Sequence, residues 1–276
     1  MLESLHRFSR MKKGDITTKR LIAAIWRRIE RIPHNIYFYL PFGFPLRNRR
    51  KLIALNNSHK GERCFILANG PSLNLVDFNL LKGEFTFGMN RIYLMKEKNG
   101  FMPSCIACID KDSLVIPFKE DFDSLEIPIF LPFELRKYYS KKTNQFFIGG
   151  KFSPKFQTDA SMMLGNGKTV AYTTIQLAFC MGFQEVYIIG KDHTYKTIAK
   201  AGAVVEVRGE DVNHFSKDYY KSGMKWDAPD HDSEEYAYKL AREAFEKDGR
   251  IIKNATVGGK LEVFERVDFY SLFPQK

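Results

Sequence analysis

Short apolar runs, each followed by a turn and then by a helix-forming segment, recur along the chain from Arg63 onward. Apolar runs of this length, bounded by turn residues, are typical of buried strands in a parallel sheet. Alternation of such strands with helices predicts an α/β fold that is Rossmann-like, with a mostly parallel sheet flanked by helices. The predicted strands are Cys64–Ala68, Phe85–Met89, Cys105–Ile109, Ile127–Leu131, Glu185–Ile189 and Ile251–Asn254, and the predicted helices are Leu73–Leu81, Thr169–Met181 and Ser233–Lys247.

The positive charge of the chain lies almost entirely at its N-terminus. Of the net charge of +11, all is accounted for by residues 1–60, which hold 14 Lys and Arg against three acids, whereas residues 61–276 hold 29 of each sign. We therefore predict a basic extension over 1–60 and a nucleotide-binding catalytic domain over 61–276. A domain that binds nucleic acid is expected to carry its own basic face, so no nucleic-acid partner is predicted.

The extension has the pattern of a surface-binding helix. Over Thr17–Ile32, apolar residues recur at helical spacing among basic ones, and Pro33 is expected to end the helix. An aromatic segment, 35–46, and a basic run, Arg47–Lys51, follow. Residues 1–51 are thus predicted to contact an anionic membrane surface. The alternative is a helix packed on the domain or on a second copy of the chain, as in a homo-oligomer.

Two further features bear on the compartment. No run reaches the roughly 18 apolar residues of a membrane span, and the basic start lacks the pattern of a signal peptide. The four cysteines, in apolar surroundings, are expected to be buried thiols of a reducing cytoplasm, and the single CxxC (Cys105, Cys108) is weak evidence for zinc or redox chemistry. We expect a cytoplasmic protein, peripheral on the inner face of the membrane.

A glycine turn directly follows the first predicted strand. It consists of Asn69, Gly70, Pro71 and Ser72. A strand, a glycine turn and a helix in this order present free backbone N–H groups to an anion, and Ser72 adds a hydroxyl donor. An ordinary strand-to-helix turn remains the alternative, because neither the Walker nor the dinucleotide glycine pattern is present.

Polar residues also follow three other predicted strands. They are Asn90, Asp110 with Asp112, and the segment Gly190–Asp192. Ligands of open α/β sheets bind beyond the carboxyl ends of the strands, so these residues and the glycine turn are expected to outline one crevice.

Histidine and tyrosine supply the candidate catalytic groups. His193 and His214 fall near the expected crevice, whereas His231, in an acidic segment, is expected in a solvated loop. Imidazole, with an ordinary pKa of about 6.5, is suited to removing a proton from a hydroxyl near neutral pH. Tyr195, Tyr219 and Tyr220 are candidate donors to a leaving phosphate, or half-buried packing residues.

Five stretches resemble known families: ILANGPSL, FGMNRIY, TVAYTTIQLAFCMGFQEVYIIGKDHTY, VNHFSKDYY and NATVGGKLEVFERVDF. Together they resemble the 6-hydroxymethylpterin pyrophosphokinase-like (MptE-like) domain family, which includes motility-associated glycosyltransferases. They are similar, less extensively, to the family 42 bacterial sialyltransferases. The resemblance spans roughly residues 61–273 and does not cover the extension.

The sialyltransferase resemblance implies roles for particular residues. Asn69 and Asn90 correspond to the asparagines that contact a cytidine nucleotide, and His214 fits the general base best. Thr169 stands at the start of the long helix, where that family has Thr/Ser-Gly; here Val170 follows, so the sugar contact is not implied.

The sequence therefore predicts a sialyltransferase-like glycosyltransferase, using a nucleotide-sugar donor such as a CMP-nonulosonate to build a surface polysaccharide or glycoconjugate. The acceptor would be a glycan or a lipid-linked molecule. No cofactor and no metal site is expected for this reaction. One alternative is a pyrophosphokinase, whose Mg²⁺ would be held by Asp110, Asp112 and Asp192. The other is a nucleotide-binding scaffold without catalysis.

Overall fold

A computed structural model describes residues 18–194 and 199–274. The chain divides into two compact units, residues 1–49 and 50–276. Helix α1 spans Thr18–Phe38 and helix α2 spans Gly43–Ile53. The basic run Arg47–Lys51 lies within α2. Residues 39–42, between the two helices, are not helical, whereas the rest of the predicted aromatic segment (35–46) lies within α1 and α2.

The second unit is built on a seven-stranded sheet in which all strands are parallel, which confirms the predicted α/β Rossmann-like fold. The strands lie in the order β5-β4-β3-β2-β1-β6-β9. In chain order the nine strands of the described residues are β1 (Arg63–Leu67), β2 (Phe85–Met89), β3 (Cys105–Ala107), β4 (Ile129–Pro132), β5 (Gln145–Ile148), β6 (Glu185–Ile189), β7 (Val204–Glu206), β8 (Lys225–Asp227) and β9 (Ile251–Asn254).

Strand β1 lies inside the sheet, between β2 and β6. Its register pairs Leu67 with Gly88 of β2 on one side and with Ile189 of β6 on the other. The gap between the carboxyl ends of β1 and β6 is therefore the point at which the strand order reverses. In doubly wound sheets this point forms the ligand crevice.

Helices cover the sheet because their apolar faces need burial. Helices α3 (Met95–Asn99) and α4 (Lys119–Ser124) are short. Helix α5 (Val170–Cys180) packs against β1, β2 and β3, and all but its first residue are buried. Helix α6 (His231–Lys247) packs against α5 and β9. Near the C-terminus, the rings of Phe269 and Phe273 pack on Phe65 of β1.

The strand predictions were accurate where apolar runs were sharply bounded. Phe85–Met89, Glu185–Ile189 and Ile251–Asn254 are confirmed residue by residue, and the other three strands are shifted or shortened by a few residues. All four cysteines are buried free thiols, as predicted. The sequence reasoning missed β5 and the antiparallel pair β7–β8.

Three helix predictions were wrong in detail. Residues 73–81 form no single helix, but two 3₁₀ turns (Pro71–Leu75 and Phe78–Leu81) separated by the extended Val76, because the Asp77 side chain caps the second turn. Helix α1 runs through Pro33, whose fixed φ is compatible with a helix although its N–H is missing. Helix α6 begins at His231, two residues before the predicted start at Ser233, and Asp230 caps it.

The extension exposes apolar side chains on α1. Ile22, Trp26 and Ile29 are each at least half exposed, at helical spacing. No helix in the described part of the chain is long and apolar enough to cross a bilayer.

Candidate functional site

Two glycines allow the loops after β1 and β6 to touch. Gly70 N–H donates to the Gly190 carbonyl at 2.9 Å, which extends the pairing of the two strands beyond their ends. A Cβ at Gly70 would lie 1.8 Å from Asp192 Oδ2. Gly190 has φ +70°, and a Cβ there would lie 2.5 Å from Leu73 Cγ. Both positions therefore need glycine for close approach, and Gly190 also for its backbone conformation.

An aspartate of the loop after β6, Asp192, contacts the glycine turn. Pro71 begins the first 3₁₀ turn, and the next residue, Ser72, donates its hydroxyl to Asp192 Oδ2 at 2.8 Å. The Ser72 backbone N–H points to the same oxygen at 3.4 Å. The donors expected to face a phosphate thus face a carboxylate. A carboxylate here repels phosphate and accepts hydrogen bonds from hydroxyl groups, such as those of a ribose.

Two asparagines lie beside this turn with buried acceptor atoms. The side-chain oxygens of Asn69 and Asn90 are both buried, and neither has a hydrogen-bond partner within the described residues. Asn90 has φ +52°, and its backbone N–H donates to the Ala107 carbonyl at 2.8 Å. Buried polar atoms nearly always have a hydrogen-bond partner. These two oxygens, which lack one among the described residues, are therefore suited to accept from the N–H and O–H groups of a ligand.

His214 is held by a buried carboxylate and a tyrosine ring. Its Nδ1 lies 2.8 Å from Asp211 Oδ2, and the Asp211 side chain is only 3% exposed. The ring stacks on Tyr219 with centroids 3.9 Å apart and planes at 5°. Because Asp211 accepts from Nδ1–H, this tautomer leaves the Nε2 lone pair available to accept a proton.

The loop that carries His214 is tied to the ends of β1 and β2. Phe215 N–H donates to the Asn69 carbonyl at 2.9 Å. Arg91, only 5% exposed, donates from Nη1 to the Asp218 carbonyl at 2.7 Å and also contacts the Tyr219 carbonyl. The loop that carries His214 is therefore bonded to Asn69, which follows β1, and to Arg91, which follows Asn90 after β2.

The three candidate tyrosines have different positions. Tyr219 is fully buried. Burial raises the pKa of its phenol well above the usual value, and the nearby Asn90 side chain lowers this pKa by a smaller amount. Tyr220 is 5% exposed and packs near Trp226. Tyr195 lies outside the described residues.

A second group of charged side chains surrounds His193. Its ring is 4% exposed, and Nε2 lies 3.1 Å from Glu235 Oε1. Burial, followed by the charge of Lys191, lowers the pKa of His193. The prediction that His231 lies in a solvated loop was wrong: it is the first residue of α6, and its ring centroid is 4.3 Å from that of His193. Asp230, the residue directly before His231, caps this helix.

The remaining candidates have local structural contacts. Asp110 accepts from Ser113 N–H at 3.1 Å, and burial raises the pKa of its carboxyl. The Thr169 hydroxyl caps α5 by accepting from Ala171 N–H at 3.3 Å. Within residues 18–194 and 199–274, Asp110, Asp112 and Asp192 do not converge into a group of potential metal ligands.

Sequence reasoning missed two residues of this site. Asp211 stands three residues before His214, and an Asp-x-x-His spacing is a signal that could have found it. Arg91 follows Asn90 directly, but nothing in the sequence shows that its guanidinium reaches the carbonyls of Asp218 and Tyr219, 127 and 128 residues away.

Comparison with solved structures shows similarity to the MAf glycosyltransferase from Magnetospirillum magneticum AMB-1. The two share 15% sequence identity with a TM-score of 0.49, over 82% of this chain and 38% of that chain. This chain thus spans well under half the length of that protein. Comparison with curated proteins finds no match. A family model described as "6-hydroxymethylpterin diphosphokinase MptE-like" matches residues 45–197, which end before His214. Because this match covers more than half of the chain, the protein belongs to the MptE-like family.

Proposed function

We propose that this protein is a glycosyltransferase that uses a nucleotide-sugar donor, with His214 as its general base. One observation carries the proposal. The loop that carries the His214–Asp211 pair is bonded to the Asn69 carbonyl and to Arg91, and the side-chain oxygens of Asn69 and Asn90 are buried and unpaired among the described residues. A base on a loop bonded to residues that offer buried acceptors supports transfer to a hydroxyl.

The reaction follows from that arrangement. Nε2 of His214 takes the proton of the acceptor hydroxyl, whose oxygen then forms a bond to the anomeric carbon of the donor sugar. The bond from that carbon to the phosphate oxygen breaks, and the electron pair leaves with the nucleotide. Asp211 stabilises the imidazolium that forms, as a carboxylate does in a catalytic triad. A tyrosine, Tyr195, Tyr219 or Tyr220, donates a hydrogen bond to the departing phosphate.

The donor is proposed to be a CMP-activated nonulosonic acid. Support comes from the resemblance of Asn69 and Asn90 to the cytidine-contacting asparagines of family 42 sialyltransferases. The Asp192 carboxylate at the glycine turn favours hydroxyl groups over phosphate, so the ribose of the nucleotide is proposed to lie nearest to Gly70 and Ser72. Gly190 and Pro71 shape this turn, while Thr169 and Asp110 are proposed to line the crevice from neighbouring strand and helix ends.

The acceptor is proposed to be a glycan or lipid-linked precursor of a surface polysaccharide or glycoconjugate. Support comes from α1, whose exposed apolar side chains lie in a strongly basic segment. Such a helix binds in the interface of an anionic bilayer, so the protein would act as a peripheral protein of the inner membrane face. A second copy of this chain is the alternative partner of α1.

One observation favours a second candidate function. The family of the matching model is named after a pterin diphosphokinase, an enzyme that transfers diphosphate from ATP to an alcohol. That reaction also needs a base for a hydroxyl, and it needs Mg²⁺. Asp110, Asp112 and Asp192 would have to be brought together by Mg²⁺ and ATP, since Asp192 is bonded to Ser72 and Asp112 is exposed.

A two-arm assay separates the candidates. In one arm the full chain is incubated with CMP-, UDP- and GDP-sugars and glycan acceptors in magnesium-free buffer, and products are identified by mass spectrometry. In the other it receives ATP, Mg²⁺ and 6-hydroxymethylpterin, and AMP release is measured. We expect glycosylated product and free nucleotide in the first arm, both lost in His214→Ala. AMP and pterin diphosphate in the second arm alone would reject the glycosyltransferase.

A further inference from the structure

Three side chains, at the start of α6 and shortly after β6, present ligand atoms to one another. They belong to His193, His231 and Glu234, each of which offers one ligand atom, and these atoms all lie within 4.8 Å of one another. Glu234 Oε2 lies 3.6 Å from His193 Nδ1 and 3.9 Å from His231 Nδ1. In a tetrahedral site with bonds of about 2.0–2.2 Å, neighbouring ligand atoms are about 3.3–3.5 Å apart. The three atoms are thus already near the spacing of a metal site.

His193 is oriented as a metal ligand is. Its Nε2 contacts Glu235 Oε1 at 3.1 Å, so the ring donates Nε2–H to a carboxylate and directs the lone pair of Nδ1 toward Glu234. Histidines that bind metals nearly always donate their other N–H to such a partner. The Nδ1 atom itself is buried and has no hydrogen-bond partner within the described residues. With its side chain 4% exposed, this lone pair is an unsatisfied acceptor in the protein interior.

The backbone conformation agrees with this arrangement. The backbone of His193 has φ +55°, a left-handed conformation that is uncommon for a residue other than glycine. Strained residues of this kind cluster at functional sites.

The ligand types select the metal. Two imidazoles and one carboxylate suit Zn²⁺ and its neighbours in the first transition series, whereas Mg²⁺ and Ca²⁺ prefer sites made of oxygen alone. Three protein ligands are also the number found in zinc sites that keep a fourth position open. The charge balance is favourable, because Glu234 and Glu235 supply two negative charges against Lys191, whose Nζ lies 3.0 Å from Glu234 Oε2.

We propose that His193, His231 and Glu234 bind a transition-metal dication, with Zn²⁺ the best-suited ion and Glu235 positioning His193. The site directly follows Asp192, which contacts the glycine turn through Ser72, so the metal would lie at the edge of the same crevice. The proposal does not depend on which group the enzyme transfers. It differs from the sequence expectation, in which no metal site was predicted for the glycosyltransferase.

Direct binding measurements test the site. The full chain without an affinity tag, freed of metal by chelator, is titrated with Zn²⁺ by calorimetry and with Co²⁺ by visible absorption. We expect one equivalent of each ion per chain and the intense absorption of tetrahedral Co²⁺. In His231→Ala, which changes a partly exposed side chain, the affinity should fall by more than 100-fold. Loss of the positioning carboxylate in Glu235→Gln should weaken binding roughly 10- to 100-fold.

The controls make the result decisive. His193→Asn tolerates the left-handed backbone and should also lose the ion, and circular dichroism without metal establishes that each variant is folded. His59→Gln removes a histidine that stacks on Phe183, away from these ligands, and should bind like the wild type. The proposal is overturned if the wild type binds no equivalent of Zn²⁺ or Co²⁺, or if folded His231→Ala and His193→Asn keep the wild-type affinity.

Discussion

At the scale of single residues, Asp211 decides which nitrogen of His214 is left to accept a proton in the proposed reaction. General-base catalysis contributes about 10²–10⁴-fold, so His214→Ala should lower the rate of glycosyl transfer by that order. Asp211→Asn should lower it too, because a carboxamide can stabilise the wrong tautomer. Donor binding should stay nearly unchanged in both variants.

His193 supplies the matched comparison for this prediction. His193→Asn and His214→Ala are to be assayed side by side, by initial rates over a range of pH. Retention of the rate in His214→Ala together with its loss in His193→Asn would move the base to His193.

Gly70 tests the packing of the glycine turn. Its absent Cβ would lie 1.8 Å from Asp192 Oδ2 and 2.7 Å from the Gly190 carbonyl oxygen. Gly70→Ala must therefore push the two loops apart, and we expect a loss of about 1–3 kcal/mol in the free energy of unfolding. Gly150→Ala is the control, because a Cβ there meets nothing within 4 Å. Equal urea midpoints for the two variants would show that the turn is not closely packed.

Residues at strand ends could be predicted from the sequence, whereas their partners could not. Asn69 and Asn90 were expected near one crevice because the carboxyl ends of parallel strands share an edge of the sheet. His214 was expected there because it follows the strand that ends near Gly190 and matches the sialyltransferase base. Which oxygens face a ligand depends on loops that pack across long sequence separations. The bond from Phe215 to Asn69 and the contact of Asp192 with Ser72 are of this kind, and no local pattern encodes them.

At the scale of elements, the cap of α6 is a measurable contribution to stability. Asp230 Oδ1 accepts from the backbone N–H of Ser233 at 3.2 Å, and its Oδ2 accepts from the Ser233 hydroxyl at 2.7 Å. Asp230→Ala should therefore reduce the free energy of unfolding by about 0.5–2 kcal/mol in urea titrations. Asp232→Ala removes an exposed charge from the same helical turn and should have a smaller effect. An Asp230→Ala variant as stable as Asp232→Ala would contradict the cap.

Helix α1 should bind anionic vesicles through both charge and apolar contact. Co-sedimentation with phosphatidylserine vesicles should fall as salt rises, since surface attraction decays over about 8 Å near physiological ionic strength. Trp26→Ser, at a side chain that is 61% exposed, should weaken binding at every salt concentration. Val204→Ser changes an exposed apolar side chain of β7 and serves as the control. Salt-insensitive binding, or equal effects of the two substitutions, would contradict a lipid-binding α1.

Elements were predictable where burial is continuous along the chain. Strands such as Phe85–Met89 are short apolar runs with clear ends, and α5 is a mostly apolar segment buried at every residue but its first. The single helix expected over 73–81 failed because Val76 is extended and Asp77 offers its carboxylate to a new turn. Within the part of the chain that the structure describes, strands β7 and β8 pair only with each other and are partly exposed, so their sequences carry little of the apolar signal.

At the scale of the whole molecule, the order of the strands places the candidate residues. Parallel pairing of β1 with both β2 and β6 brings the carboxyl ends of these strands to one edge of the sheet, and Asn69, Asn90 and Asp192 all follow these strands. The fold class followed from the alternation of elements. The strand order itself depends on non-local pairing, which a single sequence does not reveal.

The most direct test of the account is calorimetric titration of the full chain with CMP, UDP, GDP and ATP, each with and without added Mg²⁺, in the wild type and in Asn69→Ala. The account predicts that a nucleotide released from a sugar donor binds without Mg²⁺. It also predicts that Asn69→Ala weakens this binding by about 1–3 kcal/mol, because a buried hydrogen bond is lost. Binding of ATP alone and only with Mg²⁺, or unchanged affinity in a folded Asn69→Ala variant, would contradict it.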